Sequence, residues 1–541
     1  MRDKLWFVAR GLAVLVLLGT VSCGSDDADQ SGSSSPVTAG TGSGTSESDT
    51  TAPSGEPQRG GNLVYLSSLD FGTADPAAKA TLFTISDQVI FNSIFDSLVW
   101  VDADGTITPR LAESVTSQDG LTWVIKLREG VQFSDGTPFD ADAVKFNWDR
   151  HLDPAVASAC QVNAAALANV AVDDPTTITV TLAAPDVVFP RSLMDSCLSI
   201  IGSPTAIKAK GPEFGHAPVG AGPYVLSEWV IDDHMTVTRN DKYWNKPEPY
   251  LDQLEYRIVP DDQQRADTFR SGDAKAVFFN AGPIVADLVK DDSVHALPTG
   301  DIWGGYAYVF NMTKPPLDDV RVRRAFGLAI DFDQLNDSVY NGTLEPRRTL
   351  FPESSPFYED IPLPFDDPAA AQKLMDEYKA EKGGPAKITI LASEGATAAE
   401  AEAIAQMVNE VDGFEVNVEV TTGQENSRRR GVKDFMVSLQ GISGVDPQPS
   451  LFNTTYSKGA RNFTGFNNPK VDAALQTGRS SLDPKVRKDA YRVVQEELQA
   501  EVPFVIIHEI GLITVLDNSV HATTYGGGGY FDFGSAWLED D

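Results

Sequence analysis

Between Ile94 and Trp148 apolar and polar positions change over quickly, and the changes are punctuated by glycine. Ile94 to Trp100 is an apolar run that ends in an Asp-Ala-Asp-Gly turn, Asp102 to Gly105. Strand-length runs follow at Thr122 to Leu127 and Val131 to Phe133. Turn pairs bound them, Asp119-Gly120, Glu129-Gly130 and Asp135-Gly136, whose glycines tolerate positive φ. A helix is predicted from Asp140 or Asp142, with aspartate as N-cap. The stretch therefore predicts a small β-layer backed by a helix.

The same reading extends along the chain. Gly60 to Tyr65 opens a strand, and Thr84 to Val99 is an apolar-rich helix. Thr177 to Leu182 alternates as a half-buried strand does. Val225 to Trp229, Leu254 to Val259 and Tyr306 to Asn311 are further strands, and Arg265 to Gly272 is a helix ended by glycine. Asp318-Asp319 cap an arginine-rich helix in which Val322, Phe326 and Ile330 share a face. Its arginines read as a solvated or ion-paired surface. Then come a helix from Pro368 to Ala380 capped by Asp367, a strand from Lys387 to Leu391, a helix from Thr397 to Val411, and strands at Phe414 to Val420 and Phe435 to Leu439. Strand-helix-strand order implies an α/β lobe. Asp483-Pro484 opens a last helix with Val486, Ala490, Val494 and Leu498 on one face. Val502 to Ile507 and Leu512 to Leu516 return as strands.

Length and charge narrow the possibilities. A chain of 541 residues exceeds what one core supports, so two or three lobes are expected. With 77 acidic and 43 basic residues the formal charge is −34, which argues against nucleic acid and anionic lipid as partners. Arg2, Lys4 and Arg10 precede a short apolar core, Leu12 to Leu18, and Thr20-Val21-Ser22-Cys23. That run is too short to span a bilayer and suits a signal peptide over 1–22. Its end resembles a bacterial lipobox, with Thr20 where leucine is preferred, so Cys23 is the expected lipidation site. An ordinary secretory signal is the alternative. Residues 23–59 are Ser/Thr/Gly/Asp-rich and predict a flexible tether. Export places Cys160 and Cys197 in an oxidising compartment, where a disulfide between them is expected.

Several chemistries lack their signatures. The six histidines are scattered, and no Cys/His spacing suggests a metal site. There is no GxSxG, HExxH or P-loop. Val219 to Tyr224 (VGAGPY) mimics a phosphate loop, but Pro223 removes an amide and no GK[ST] follows. Arg428-Arg429-Arg430 reads as an exposed helix end, with a carboxylate partner as the alternative. Gly526 to Gly529 reads as a flexible loop.

The wording of several stretches resembles the family 5 extracellular solute-binding proteins, the peptide/nickel-type receptors of ABC importers. It is carried by the Ile94 to Trp148 stretch (DG.I.P.LAES, LR.GV.F.DGTPF), by VGAGPY with Arg239-Asn240 and Tyr243-Trp244, and by FNMTKPPLDDVRVRRAFGLAID. The resemblance implies an α/β, two-lobed periplasmic-binding-protein-like fold of type II, joined by a two-strand hinge. It places lobe I at 60–305, with an accessory subdomain at about 85–215, lobe II at 306–499, and a return to lobe I at 500–541. It implies a peptide or other small solute as ligand, ABC permease and ATPase subunits as partners, a monomer anchored to the membrane through its N-terminal lipid, and neither enzyme activity nor a cofactor. Expected ligand contacts are Trp303, Tyr306 and Tyr308 before the crossing, Ser443 and Asp446 in Gly441 to Pro449, and Arg461-Asn462. Ser443 stands where peptide-binding members carry an acidic residue, and Gln440 near their usual tryptophan, which is a departure from dipeptide recognition. Nickel or haem binding occurs in the wider group; no metal site is expected here, although a chelated metal needs no histidine cluster. Two other classes remain open at this point: a secreted hydrolase using a carboxylate pair, and a non-transport peptide sensor or surface interaction protein.

Overall fold

The computed structural model describes residues 55–68, 70, 72–78, 85–101, 106–280, 282–298, 303–344, 347–509, 511–525 and 530–539. The expected signal peptide, Cys23, most of the tether, the turn at Asp102 to Gly105 and the loop at Gly526 to Gly529 lie outside the described residues.

Two sheets carry the two lobes. The first has seven strands, in the order Val294–Pro298, Leu512–Asp517, Ala276–Asn280, Asn62–Ser67, Gln253–Ile258, His234–Arg239 and Tyr224–Val230. The second has five, Phe414–Thr421, Ala386–Ser393, Val437–Gly444, Trp303–Phe310 and Phe504–His508. The chain passes from the first sheet to the second between Pro298 and Trp303, and back between His508 and Leu512. Trp303 already pairs with Gly444 inside the second sheet, and Phe504 still pairs there with Val309. Phe504–His508 thus completes the edge of the second sheet, and Leu512–Asp517 is the strand that rejoins the first.

The incoming strand is held between two backbones. Gly304 has φ +76°, and a Cβ there would lie 1.9 Å from the Ile442 oxygen; one at Gly305 would lie 2.0 Å from the His508 oxygen. Only glycine fits such a close approach.

The accessory β-layer is a four-stranded antiparallel sheet, Ala112–Ser117, Thr122–Leu127, Thr177–Leu182 and Leu167–Asp174 in that order. Behind it lies helix Ala141–Leu152, where Asp140 Oδ1 accepts the Ala143 N–H at 2.9 Å. Val131 to Phe133 is not a strand. It forms one isolated bridge, Gln132 with Pro138, and a tight loop in which the Phe133 N–H reaches the Thr137 oxygen at 2.9 Å. Burial of Val131 and Phe133 anchors that loop, which explains the apolar run.

Helix Val320–Leu328 is capped by Asp319, and Val322, Phe326 and Ile330 are all buried. Of its arginines Arg321 fits the expected ion-paired surface, pairing with Asp319 and Glu381, but the next two do not. Arg323 is buried and donates to the carbonyls of Glu501, Val502 and Leu317, while Arg324 donates to those of Gln499 and Ala500. They thereby satisfy the orphan carbonyls at the negative end of the last helix, Pro484–Glu501. On that helix Ala490, Val494 and Leu498 are buried but Val486, in its first turn, is exposed.

Cys160 and Cys197 form a disulfide with Cα atoms 6.4 Å apart, closing a loop with a sequence separation of 37. Chain-entropy reasoning gives such a loop about 3–4 kcal/mol. Replacing both cysteines by serine is expected to lower unfolding free energy by about that amount in urea titration. Two alkylatable thiols at these positions in the unreduced, exported protein would contradict the pairing.

Candidate functional site

Beside the two crossings lies a cavity of about 240 Å³ with walls from both lobes. Phe279, Asn280, Pro283 and Ile284 come from the first; Tyr306, Tyr340, Leu344, Leu439 and His508 come from the second. The lining is mainly apolar and aromatic with a few polar tips, the usual make-up of a solute site.

Its second-lobe wall is built on one buried carboxylate. Glu400, early in helix Ala396–Asn409, is wholly buried. Tyr308 Oη donates to Oε1 at 2.8 Å, and Tyr340 Oη and His508 Nε2 donate to Oε2 at 2.7 and 3.0 Å. His508 Nδ1 faces the Glu509 carbonyl at 2.8 Å, so both ring nitrogens meet acceptors, an arrangement that suits the doubly protonated ring. Its ring lies 5.4 Å from that of Tyr306 and 5.2 Å from that of Tyr340. Burial pulls the His508 imidazole down, but Glu400 overrides it and the net shift is upward. Burial likewise pushes Glu400 up, and donation from His508, Tyr340 and Tyr308 brings it below the ordinary carboxylate value. Both shifts favour the ionised pair.

Residues 106–463 match the model of the bacterial extracellular solute-binding proteins, family 5 (middle region). The chain belongs to this family. It is 30% identical over 475 residues to the glutathione-binding protein GsiB of Escherichia coli O6:K15:H31 (strain 536 / UPEC), covering 82% of this chain and 88% of that one. The fold is that of the two-lobed periplasmic binding proteins. AgaA of A. tumefaciens R10, in complex with agropinic acid, superimposes with a TM-score of 0.77 at 22% identity, over 89% of this chain and 99% of its own. The ABC transporter-associated DppA of Helicobacter pylori, in complex with peptide STSA, gives 0.77 at 24% identity, over 89% and 99%. No helix among the described residues is long and apolar enough to cross a membrane.

The residues expected to touch ligand in this family 5 protein divide into two groups. Tyr306 lines the cavity, and Ser443 and Arg461 are half-buried at the same strand end, where Ser443 pairs with Gly304 and Arg461 Nη2 donates to the Gly441 oxygen at 3.0 Å. The others make their contacts within the fold. Trp303 is buried against Phe351, its Nε1 donating to the Asp446 carbonyl at 2.9 Å. Tyr308 is buried and directed to Glu400. Asn462 braces its own loop, donating to the carbonyls of Tyr456 and Phe466 and accepting from Thr464 Oγ1 and the Phe466 N–H. Asp446 is not an unpaired anchor for an amine, because Arg487 Nη2 donates to both its oxygens, at 2.9 and 2.7 Å.

Sequence reading missed Glu400, Tyr340 and His508. The available signal was His508 itself, a polar residue ending an otherwise apolar strand, VPFVIIH. It also missed a second meeting of the lobes. Asp186, in the accessory subdomain, lies 3.3 Å from Arg479 Nη2 of helix Pro469–Ser480, and the Val187 N–H donates to the Arg479 carbonyl at 3.0 Å. A cavity of about 160 Å³ beside them is lined by Phe189, Gln448 and Phe452, among others.

The ionised pair gives stability a predictable pH dependence. His508 titrates above its ordinary 6.5, so its contribution is full below about pH 6.5 and is lost as pH rises through the folded value. Glu400 titrates below its ordinary 4.5, so its contribution is full above that pH and is lost as pH falls through the folded value. Glu400→Gln is expected to cost about 3 kcal/mol and to flatten the decline above pH 6.5, read from denaturant titrations across pH. A variant as stable as wild type, with the same slope, would exclude the ionised pair. Asp446→Asn is expected to lower stability by about 2 kcal/mol while leaving any preference for amine-bearing ligands unchanged. Loss of that preference, in calorimetric titrations of matched ligands with and without an amine, would restore Asp446 as a ligand contact.

Proposed function

We propose that the protein captures a short peptide or peptide-like solute in the cleft between its lobes and delivers it to an ABC permease driven by separate ATPase subunits. The observation that carries this reading is the cavity walled by Phe279 and Ile284 on one side and by Tyr306, Tyr340 and His508 on the other, beside the two crossings. A solute that touches both walls favours the arrangement in which they are close, and two strands are a hinge narrow enough to permit that movement. Tyr306, Ser443 and Arg461 are the proposed contacts among those read from sequence. Glutathione is the first solute to test, because the GsiB relative is a glutathione-binding protein. No chemistry on the solute is assigned to this chain.

The lobes are taken as Gly60 to Pro298 with Leu512 onward, and Trp303 to His508. The basic start, the short apolar stretch and Cys23 support export and lipid anchoring, with the polar tether holding the body near the membrane surface.

Small-angle scattering of the purified protein with glutathione and with a panel of tripeptides is expected to show compaction for at least one of them. Deleting the gene is expected to abolish uptake of the same solute. Unchanged scattering with every member of the panel, together with normal uptake in the deletion strain, would sink the reading.

A further inference from the structure

Among the described residues, the hydrogen bonds and ion pairs that join the lobes outside the crossings meet at one place. The Val187 N–H donates to the Arg479 carbonyl at 3.0 Å, and Arg479 Nη2 lies 3.3 Å from Asp186 Oδ2. Each half is fixed to its own lobe. The Asp186 N–H donates to the Gly120 carbonyl at 2.8 Å, while its carboxylate accepts the Val188 N–H and Ser192 Oγ, both at 3.2 Å. Gly120 has φ +67°, and a Cβ there would lie 2.9 Å from Val187 Cγ1, so the turn and the loop are packed as one unit. Arg110 ties this subdomain to the first lobe: it is buried, and it donates to Asp96 at 3.1 Å and to Tyr243 Oη at 2.9 Å. On the other side, Arg479 lies in the last turn of helix Pro469–Ser480, where its carbonyl has no intrahelical donor. Arg487 Nε donates to the adjacent Gly478 carbonyl at 3.0 Å and so holds that turn to the second lobe.

The contact is less complete than those inside either lobe. Arg487 meets Asp446 within the second lobe at 2.9 and 2.7 Å, through both carboxylate oxygens. Arg479 meets Asp186 at one longer distance, and its buried Nε has no partner among the described residues. Gln448 Nε2 is likewise unpartnered, and all three side chains border the cavity of about 160 Å³. Burial raises the Asp186 carboxyl in spite of Arg479, and the Asp446 charge adds to the rise. A partly satisfied buried ion pair gives up much of its Coulombic gain to desolvation. Separating the lobes returns these groups to water, so the contact is weak enough to be made and lost reversibly.

We propose that Asp186 and Arg479 are positioning residues for solute capture, joining when the lobes close and raising solute affinity without touching the solute. The inference rests on the receptor reading given above. Solute affinity is reduced by the fraction of molecules that are not closed, so a contact made only on closure is passed on to the solute as tighter binding. The accessory subdomain thereby acquires a task. It carries an acid fixed to the first lobe out to a helix of the second, at a place away from the hinge.

The test reads the separation of the lobes directly. Val124→Cys, exposed on the accessory sheet, and Leu482→Cys, exposed just past helix Pro469–Ser480, carry nitroxide labels in the exported protein with Cys23→Ser and the Cys160–Cys197 pair intact. Pulsed electron resonance gives the distance distribution with and without glutathione or a tripeptide of the panel. Arg479→Gln is expected to lower the share of the short separation. In calorimetric and kinetic titrations it is expected to weaken solute binding about three- to tenfold, chiefly through faster release. Arg479→Lys is expected to keep part of the effect. Asp186→Asn should act in the same direction and add little to Arg479→Gln, as partners in one contact do. A merely structural role would lower the thermal transition and leave the label separation of the folded protein unchanged. An unchanged distance distribution together with unchanged affinity in Arg479→Gln would overturn the proposal and leave the receptor reading standing. Failure of every solute to bind the wild type would remove the receptor reading and this inference with it.

Discussion

A carboxylate taken fully out of water needs donors on every side, and Glu400 draws its donors from three separate segments. Tyr308 belongs to the strand by which the chain enters the second lobe, His508 ends the strand by which it leaves, and Tyr340 ends helix Phe332–Tyr340. Loss of any one leaves a buried charge short of a partner. The two crossings are therefore fixed to each other and to helix Ala396–Asn409 through a single side chain. The glycine pair beside Trp303 serves the same place, since the incoming strand can lie between its neighbours only without side chains at Gly304 and Gly305.

This constraint divides the work between the walls of the cleft. The second-lobe wall is set by the Glu400 network, so the rings of Tyr306, Tyr340 and His508 hold their mutual geometry whatever the first lobe does. Among the described residues the first-lobe wall, with Phe279 and Ile284, makes no comparable polar contact with it. Apolar contact is non-directional, which suits a surface that closes over solutes of differing shape. The outer contact is of another kind. The Asp186–Arg479 pair and the Val187 hydrogen bond are directional, and burial pushes the Asp186 carboxyl upward despite Arg479 beside it. Closure thus has an adaptable inner part and a specific rim.

Much of the fold was legible because its signals are local. Aspartates at 140, 319, 367 and 483 cap the helices that follow them, and a cap needs only the next three residues. Sheet order is set by long-range pairing, so the placement of Phe504–His508 in the second lobe had no local sign. The site was harder still. Trp303, Tyr306 and Tyr308 look alike in sequence, and a strand buried on both faces gives no alternation to separate a core aromatic from one on the cleft. Asp446 meets an arginine far along the chain, and nothing near Asp446 announces Arg487. In Arg428-Arg429-Arg430 composition marks a charged helix end, and only the fold shows that Arg430 turns to the Leu439 carbonyl.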